Sequence, residues 1–419
     1  MAVQHPLTLV TPVLKEKHAE MYGILRKLHE DLEAEKHEKF KSFDTIHYAR
    51  WFIMDDKDMY GNPENQEMKL VFSVNYDGDQ DDLLISLSNE AGYYIDYIYQ
   101  NCEGYMPEAE RTPENRVKYL LKWSQKAAAF YKGAPGITLI QIRNESKLRN
   151  YIRNILDTKD FKGKSASEIH KSIKNDVLAK PEFDWVKTRI KLPGTNWPGM
   201  VLLGCILLAL LPIVIIWVLM IQFFYERKDS YFQLTRSQLD EGHIKKLEAY
   251  EDWENQNQFT QLVVMKPGKV RLITFKALML FAKALIAFWF TKGKLMGIPT
   301  IHFARWVLFD DNKRVLFFSN FDGSWQQYLG DFIDQSGWGL TGIFSNTTNF
   351  PKTRFLFTGG AYDEEHFLAW SRYTELQTQV WYCAYPDLSI KNVNNNTRIR
   401  AHVIEDLNEK QAQEFLKMI

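Results

Sequence analysis

A seven-residue string occurs twice. TIHYARW runs from Thr45 to Trp51, and TIHFARW returns at Thr300 to Trp306, 255 positions later (300 minus 45). The likeness continues on both sides. LVFSVNYDG follows the first string and VLFFSNFDG the second, with Asp77 and Asp322 245 apart (322 minus 77). The first copy therefore holds ten more residues (255 minus 245), in DDKDMYGNPENQEMK, which reads as a polar hairpin loop where insertions are tolerated. Upstream, Pro12 and Pro267 each stand 33 residues before the motif threonine (45 minus 12, 300 minus 267). Downstream, Trp123 and Ser124 match Trp370 and Ser371, Tyr131 and Pro135 match Tyr382 and Pro386, and Asn144 and Arg149 match Asn395 and Arg400. Matching blocks that keep their order imply internal duplication, with units of roughly 150 residues. The predicted division is 1–160 for the first unit, 161–199 for a linker, 200–224 for an apolar segment, 225–258 for a polar helical connector and 259–419 for the second unit.

Within each unit the patterning gives a leading helix and then a strand pair. In the second copy these strands are HFARWVLFD and RVLFFSNFDG, rich in aromatic and β-branched residues and joined by a short polar turn. A helix follows at SWQQYLGDFIDQ, then a strand at TRFLFTGG, a helix opened by acidic residues at DEEHFLAWSRYTEL, a strand at QVWYCAYP and a closing helix. The order β-β-α-β-α-β indicates an α+β fold with antiparallel sheets. It resembles ferredoxin-like units, and two in tandem resemble the dimeric α+β-barrel superfamily. That resemblance implies a pseudo-dimer whose two sheets face each other. The superfamily includes haem-binding dye-decolourising peroxidases and chlorite dismutases, so it also implies haem as a candidate cofactor. The peroxidases carry GxxDG with a distal aspartate; SNFDG and VNYDG keep the DG and lack the first glycine.

Met200 to Phe224 is a run of 25 residues without a formal charge. About 20 apolar residues cross a bilayer core, so the run is long enough to insert. Trp197, Trp217 and Tyr225 fit interfacial anchoring. Pro212 lies near its middle and removes a backbone donor. Two copies that pack together must share one side of the membrane, which requires either a re-entrant hairpin turning at Pro212 or a second crossing by Thr274 to Phe290, and the duplication favours the hairpin. A second apolar stretch, Thr274 to Phe290, carries Lys276 and Lys283 seven apart, in line with Lys269. That spacing places the lysines on one face of a helix lying in the interface. The chain is expected on a membrane, with its folded units on the cytoplasmic side and the lipid bilayer as partner. MAVQHPLTLVTPVLKEKHAEM has no apolar stretch after a basic start, so no cleavable secretion signal is expected.

Fifty-two basic side chains balance fifty-two acidic ones, which gives no electrostatic case for nucleic acid. Three cysteines, at 102, 205 and 383, form no CxxC pair, and no metal site is predicted. Strand alternation in the second motif places His302, Ala304 and Trp306 on one face and Phe303, Arg305 and Val307 on the other. An arginine among apolar neighbours needs a carboxylate or an anion, and Asp322 at the end of the adjacent strand is the expected partner of Arg305, as Asp77 is of Arg50. His302, Arg305 and Asp322 are the candidate catalytic residues, with His302 the candidate haem ligand that the resemblance implies. His47, Arg50, Asp77, Trp306, Asn320 and Arg400 are candidate binding residues. The abundance of aromatic residues in the second copy suggests a hydrophobic small molecule. Two functions follow as expectations. One is a membrane-bound oxidoreductase acting on a hydrophobic or lipid-derived substrate. The other is a non-catalytic membrane-associated lipid-binding or scaffold protein.

Overall fold

The computed structural model describes residues 4–34, 40, 42–55, 67–188 and 194–419. Most of the predicted polar hairpin, residues 56–66, lies outside the described residues. The fold is a mixture of helices and antiparallel sheets with one long apolar helix.

The first copy begins with a strand that the sequence reading missed, β1 (Gln4–Pro12), followed by α1 (His18–Ala34). The motif strand β2 (Ile46–Met54) and β3 (Lys69–Asp77) come next, then α2 (Gln80–Glu90), α3 (Gly92–Tyr99) and α4 (Pro113–Lys122). Strand β4 (Ala127–Lys132) and helix α5 (Leu139–Thr158) close the copy. The stretch 161–199, expected as a linker, carries helix α6 (Ala166–Leu178) with Ile173 and Val177 buried. The apolar helix α7 (Trp197–Met220) and the short α8 (Glu241–Glu248) lead into the second copy.

There β5 (Gln256–Val264), α9 (Lys269–Phe288), β6 (Ile301–Phe309), β7 (Arg314–Asp322) and α10 (Trp325–Phe344) repeat the order. TRFLFTGG does not join a main sheet. It forms a two-stranded hairpin of β8 (Thr353–Arg354) and β9 (Thr358–Gly359). Helix α11 (Glu364–Tyr373), strand β10 (Val380–Cys383), α12 (Ile390–Val403) and α13 (Glu409–Leu416) complete the chain.

Each main sheet has four antiparallel strands, and each takes its fourth strand from the other copy. The first sheet runs β1-β3-β2-β10 and the second β5-β7-β6-β4. Before crossing, each fourth strand is laced to its own copy. Val10 N donates to Trp123 O (3.0 Å) and Gln125 N to Thr8 O (2.8 Å); Leu262 N donates to Thr374 O (3.0 Å) and Leu376 N to Thr260 O (2.8 Å). The crossings join the two sheets at both edges, so neither copy has a complete sheet alone. A shared core with Phe52, Val71, Leu262, Val307, Leu316 and Phe318 is common to both copies. The outer faces are covered by α1 to α4 on one sheet and by α9 to α11 on the other.

Strand register fixes the equivalence of the copies. Gln4 lies opposite Asp77 and Gln256 opposite Asp322, an offset of 252 (256 minus 4) in the first strand. Pro12 therefore corresponds to Val264, not to Pro267. From Asp77 the offset of 245 holds through the next helical segment, where the break at Ala91 (φ −118°) recurs inside α10 at Ser336 (φ −141°), and it grows to 251 (382 minus 131) by the exchanged strands.

Helix α7 does not turn back at Pro212. It continues as one helix from Trp197 to Lys228, 32 residues in all. This corrects the expected hairpin. One missing donor and a ring clash bend a helix but do not reverse it when all other groups in the run can only bond along the helix. The ends of α7 dock on the second copy. Asn196 N donates to Phe288 O (2.9 Å), and the indole of Trp217 to Thr274 Oγ1 (2.9 Å). Beyond the helix end, buried Glu226 accepts from Thr353 Oγ1 (2.7 Å) and Leu356 N (3.1 Å). From Cys205 to Ile216 every side chain is exposed.

Candidate functional site

Both motif histidines sit at β-bulges, between Ile46 and Tyr48 and between Ile301 and Phe303. A bulge shifts the alternation by one residue. His302 therefore leaves the face predicted for it. It packs beside Tyr48 and Tyr385, with ring centroids 5.7 Å away in each case, while Ala304 and Trp306 remain in the helix-covered core.

The bulges aim the imidazoles at the aspartates. His302 Nε2 is 2.8 Å from Asp322 Oδ1, and His47 Nε2 is 3.0 Å from Asp77 Oδ1. The second oxygen of each aspartate caps the start of a helix. Ile390 N of α12 donates to Asp322 Oδ2 (2.8 Å), and Leu139 N of α5 donates to Asp77 Oδ2 (2.7 Å). Each aspartate thus ties a bulged strand to the helix that follows the exchanged strand. A carboxylate at a helix start satisfies orphan donors and meets the positive end of the dipole.

The predicted Arg305–Asp322 and Arg50–Asp77 pairs are not formed. Histidine occupies the aspartates, and both guanidiniums point into the interior between the sheets. Arg50 crosses to the other copy, donating to Gln258 Oε1 (3.2 Å), Phe259 O (3.0 Å), Thr260 Oγ1 (2.8 Å), Ser319 O (3.0 Å) and Asn320 Oδ1. Arg305 donates to Val74 O (3.0 Å) and to Ser73 Oγ. Both lie near Phe318, 5.7 and 5.0 Å from its ring centre. Burial lowers the Arg50 pKa to about 9; burial, and then the charge of Arg50, push Arg305 well below the usual arginine range. Among the binding candidates, Asn320 joins the Arg50 network. Trp306 packs on Phe317 in the second-copy core, with ring centroids 4.8 Å apart. Arg400 belongs to another layer, where it meets buried Glu145 (3.4 Å) and the Trp185 ring.

The geometry makes His302 a hydrogen-bonded clasp, while His47 lies beside its aspartate without hydrogen-bond alignment. Both are buried, His47 at 0% and His302 at 1% exposure. The Tyr385 hydroxyl lies 3.3 Å from His47 Nδ1, and Gln256 accepts from the Tyr48 hydroxyl and donates to Tyr385 O (2.9 Å). A haem on His302 does not fit these surroundings, because His302 is buried, its Nε2 is held by Asp322 and neither apolar cavity among the described residues is lined by it. An Asp322→Ala variant is expected to lose about 2–4 kcal/mol in denaturant unfolding, because a buried imidazole nitrogen and a helix N–H both lose their partner. Asp322→Asn should recover most of that loss, since it keeps an acceptor for Ile390 N and the imidazole can change tautomer. Equal losses in both variants would remove the clasp from the account.

The open spaces lie elsewhere. An apolar cavity of about 330 Å³ sits between the first sheet and its helices, lined by Leu28, Trp51, Phe72, Leu87, Ile95 and Tyr99 among others. No sequence pattern marked it. The equivalent position in the second copy, around Trp306, Phe332, Ser336 and Leu340, holds about 50 Å³. A third, open groove beside the end of α9 is lined by the cations Lys292, Lys294, Lys391 and Arg398. No protein-family model, no curated protein and no solved structure matches this chain.

Proposed function

We propose that this protein is a non-catalytic, membrane-associated lipid-binding or scaffold protein, held on one face of a bilayer with both copies on the same side. The observation that carries this reading is the attachment of α7 at both ends. A 24-residue helix is about 36 Å long, comparable to the thickness of a bilayer's hydrocarbon core. Were α7 to cross the bilayer, α9, whose Phe288 and Thr274 hold its two ends, would have to cross beside it with Lys276 and Lys283 exposed along its length, at a high cost in the apolar layer. A helix pair lying in the plane needs no such crossing, and it places the exposed middle of α7 among acyl chains. Trp197 and Trp289, both exposed, pack against each other at one end, where the aromatic belt of a membrane surface lies. Lys276 and Lys283 of α9 are exposed, as are the cations of the neighbouring basic groove, which suits anionic headgroups.

The exchanged fourth strands support reading the two copies as one ferredoxin-like pseudo-dimer of the dimeric α+β-barrel kind. The free thiols of Cys102, Cys205 and Cys383 suit a cytoplasmic face. An oxidoreductase centred on His302, Arg305 and Asp322 draws less support, because those side chains are spent on contacts within the fold.

Labelling in sealed vesicles tests the topology. In a chain whose native cysteines are replaced by serine, Tyr93→Cys in the first copy and Tyr362→Cys in the second should react alike with a membrane-impermeant maleimide, since both positions are exposed. Labelling of one and protection of the other would mean that α7 crosses the membrane, and the proposal would fall.

A further inference from the structure

We infer that the first-copy cavity is a binding site for a neutral, mainly apolar small molecule. The inference builds on the binding-protein reading above and does not depend on how the chain meets the membrane.

The duplication supplies an internal control. With the offset of 245, Leu87, Ala91, Ile95 and Ile98 on α2 and α3 correspond to Phe332, Ser336, Leu340 and Ile343 on α10, and Trp51 occupies the register of Trp306. The sheet, the helix break and the covering helix are common to both copies. The second copy closes this space to about 50 Å³ with its own side chains, Phe332, Phe281, Phe290 and Phe357 among them. The first copy leaves about 330 Å³. Protein cores pack to crystal density, and voids much larger than a water molecule are few. An engineered apolar cavity of about 150 Å³ already binds benzene, so the first-copy cavity has room for about twice that volume. The space reaches the surface beside Ser42 and Glu90, both exposed.

The lining identifies the ligand class. Nearly all of it is aliphatic or aromatic carbon. The indole nitrogen of Trp51 and the hydroxyl of Tyr99 are buried in the wall and do not open onto the space, so the interior offers a ligand apolar contact and no charged partner. The Glu90 carboxylate at the rim disfavours anions, so a carboxylate ligand fits less well than a neutral one.

The test uses the full chain in lipid nanodiscs, with empty nanodiscs as the partition blank, and isothermal titration of two matched probes. Butylbenzene is expected to bind saturably and 4-phenylbutanoate at least tenfold more weakly. Leu87→Phe combined with Ala91→Phe fills the cavity and should weaken butylbenzene at least tenfold, with the melting temperature kept or raised. Butylbenzene binding that is absent, or that survives unchanged in the folded double variant, would overturn the inference. Impermeant-maleimide labelling can fail while butylbenzene binding holds, and the reverse is equally observable, so the two readings fail separately.

Discussion

Aspartate at Leu208, Ile213 and Ile216 is expected to release the protein from lipid vesicles while leaving its fold unchanged. These side chains are 71%, 62% and 68% exposed, and they lie in the stretch of α7 where every side chain is exposed. They contribute little packing that a substitution could remove. In an apolar layer each aspartate costs about 2–3 kcal/mol, so three should shift membrane partition by about four to six orders of magnitude. Vesicle flotation on a density gradient reads the effect directly, and circular dichroism with a thermal melt reads the fold. If the triple variant still floated with its vesicles, α7 would not be the membrane contact. If it failed to melt cooperatively, α7 would be part of the core, against its exposure.

That separation of roles explains why the apolar run was only half legible in the sequence. Its length and lack of charge are compositional and could be read at once. Whether it spans, turns back or lies flat depends on where its ends dock, and those contacts join Asn196 to Phe288 and Glu226 to Thr353, neighbours only after folding. Pro212 suggested a turn because proline is usually punctuation, yet within an unbroken apolar run it stays helical.

The duplication was legible for the opposite reason. Copies share residues in the same order, and beyond the hairpin loop the offset changes only by a few residues along each unit, from 245 at Asp77 and Asp322 to 251 at Arg149 and Arg400. The strand exchange left no mark, since β4 and β10 have similar composition and either could pair with its own copy's sheet. The first strands, HPLTLVTP and NQFTQLVV, were missed although both contain β-branched runs bounded by turns. The predicted arginine–aspartate pairs failed because one-residue bulges are invisible to alternation. Each bulge turned a histidine onto the carboxylate and left the arginine facing the other sheet.

The arginines give the second large effect. Arg50→Ala is expected to destabilise the fold by about 3–5 kcal/mol, and Arg305→Ala by clearly less. Arg50, 2% exposed, sends its guanidinium across the interior to five acceptors on β5 and β7, whereas Arg305 has two, on β3. Removing Arg50 leaves Gln258, Thr260 and Asn320 with surplus buried acceptors and opens a void between the sheets. Removing Arg305 orphans fewer groups and also relieves a repulsion, since the charge of Arg50 helps to depress Arg305. Each single variant relieves the repulsion beside Phe318 and the double variant relieves it only once, so the double should lose more stability than the sum of the single losses, by about 1 kcal/mol. Guanidinium unfolding in mild detergent, followed by tryptophan fluorescence, would measure all three. Strict additivity, or a larger loss for Arg305→Ala, would mean that the two charges do not interact and that Arg50 is not the principal polar lock between the copies. Arg50→Met tests the same point from the other side. It keeps the volume but not the donors, so its loss should fall between zero and that of alanine, in proportion to how much of Arg50's role is filling space and how much is satisfying the acceptors of the other copy.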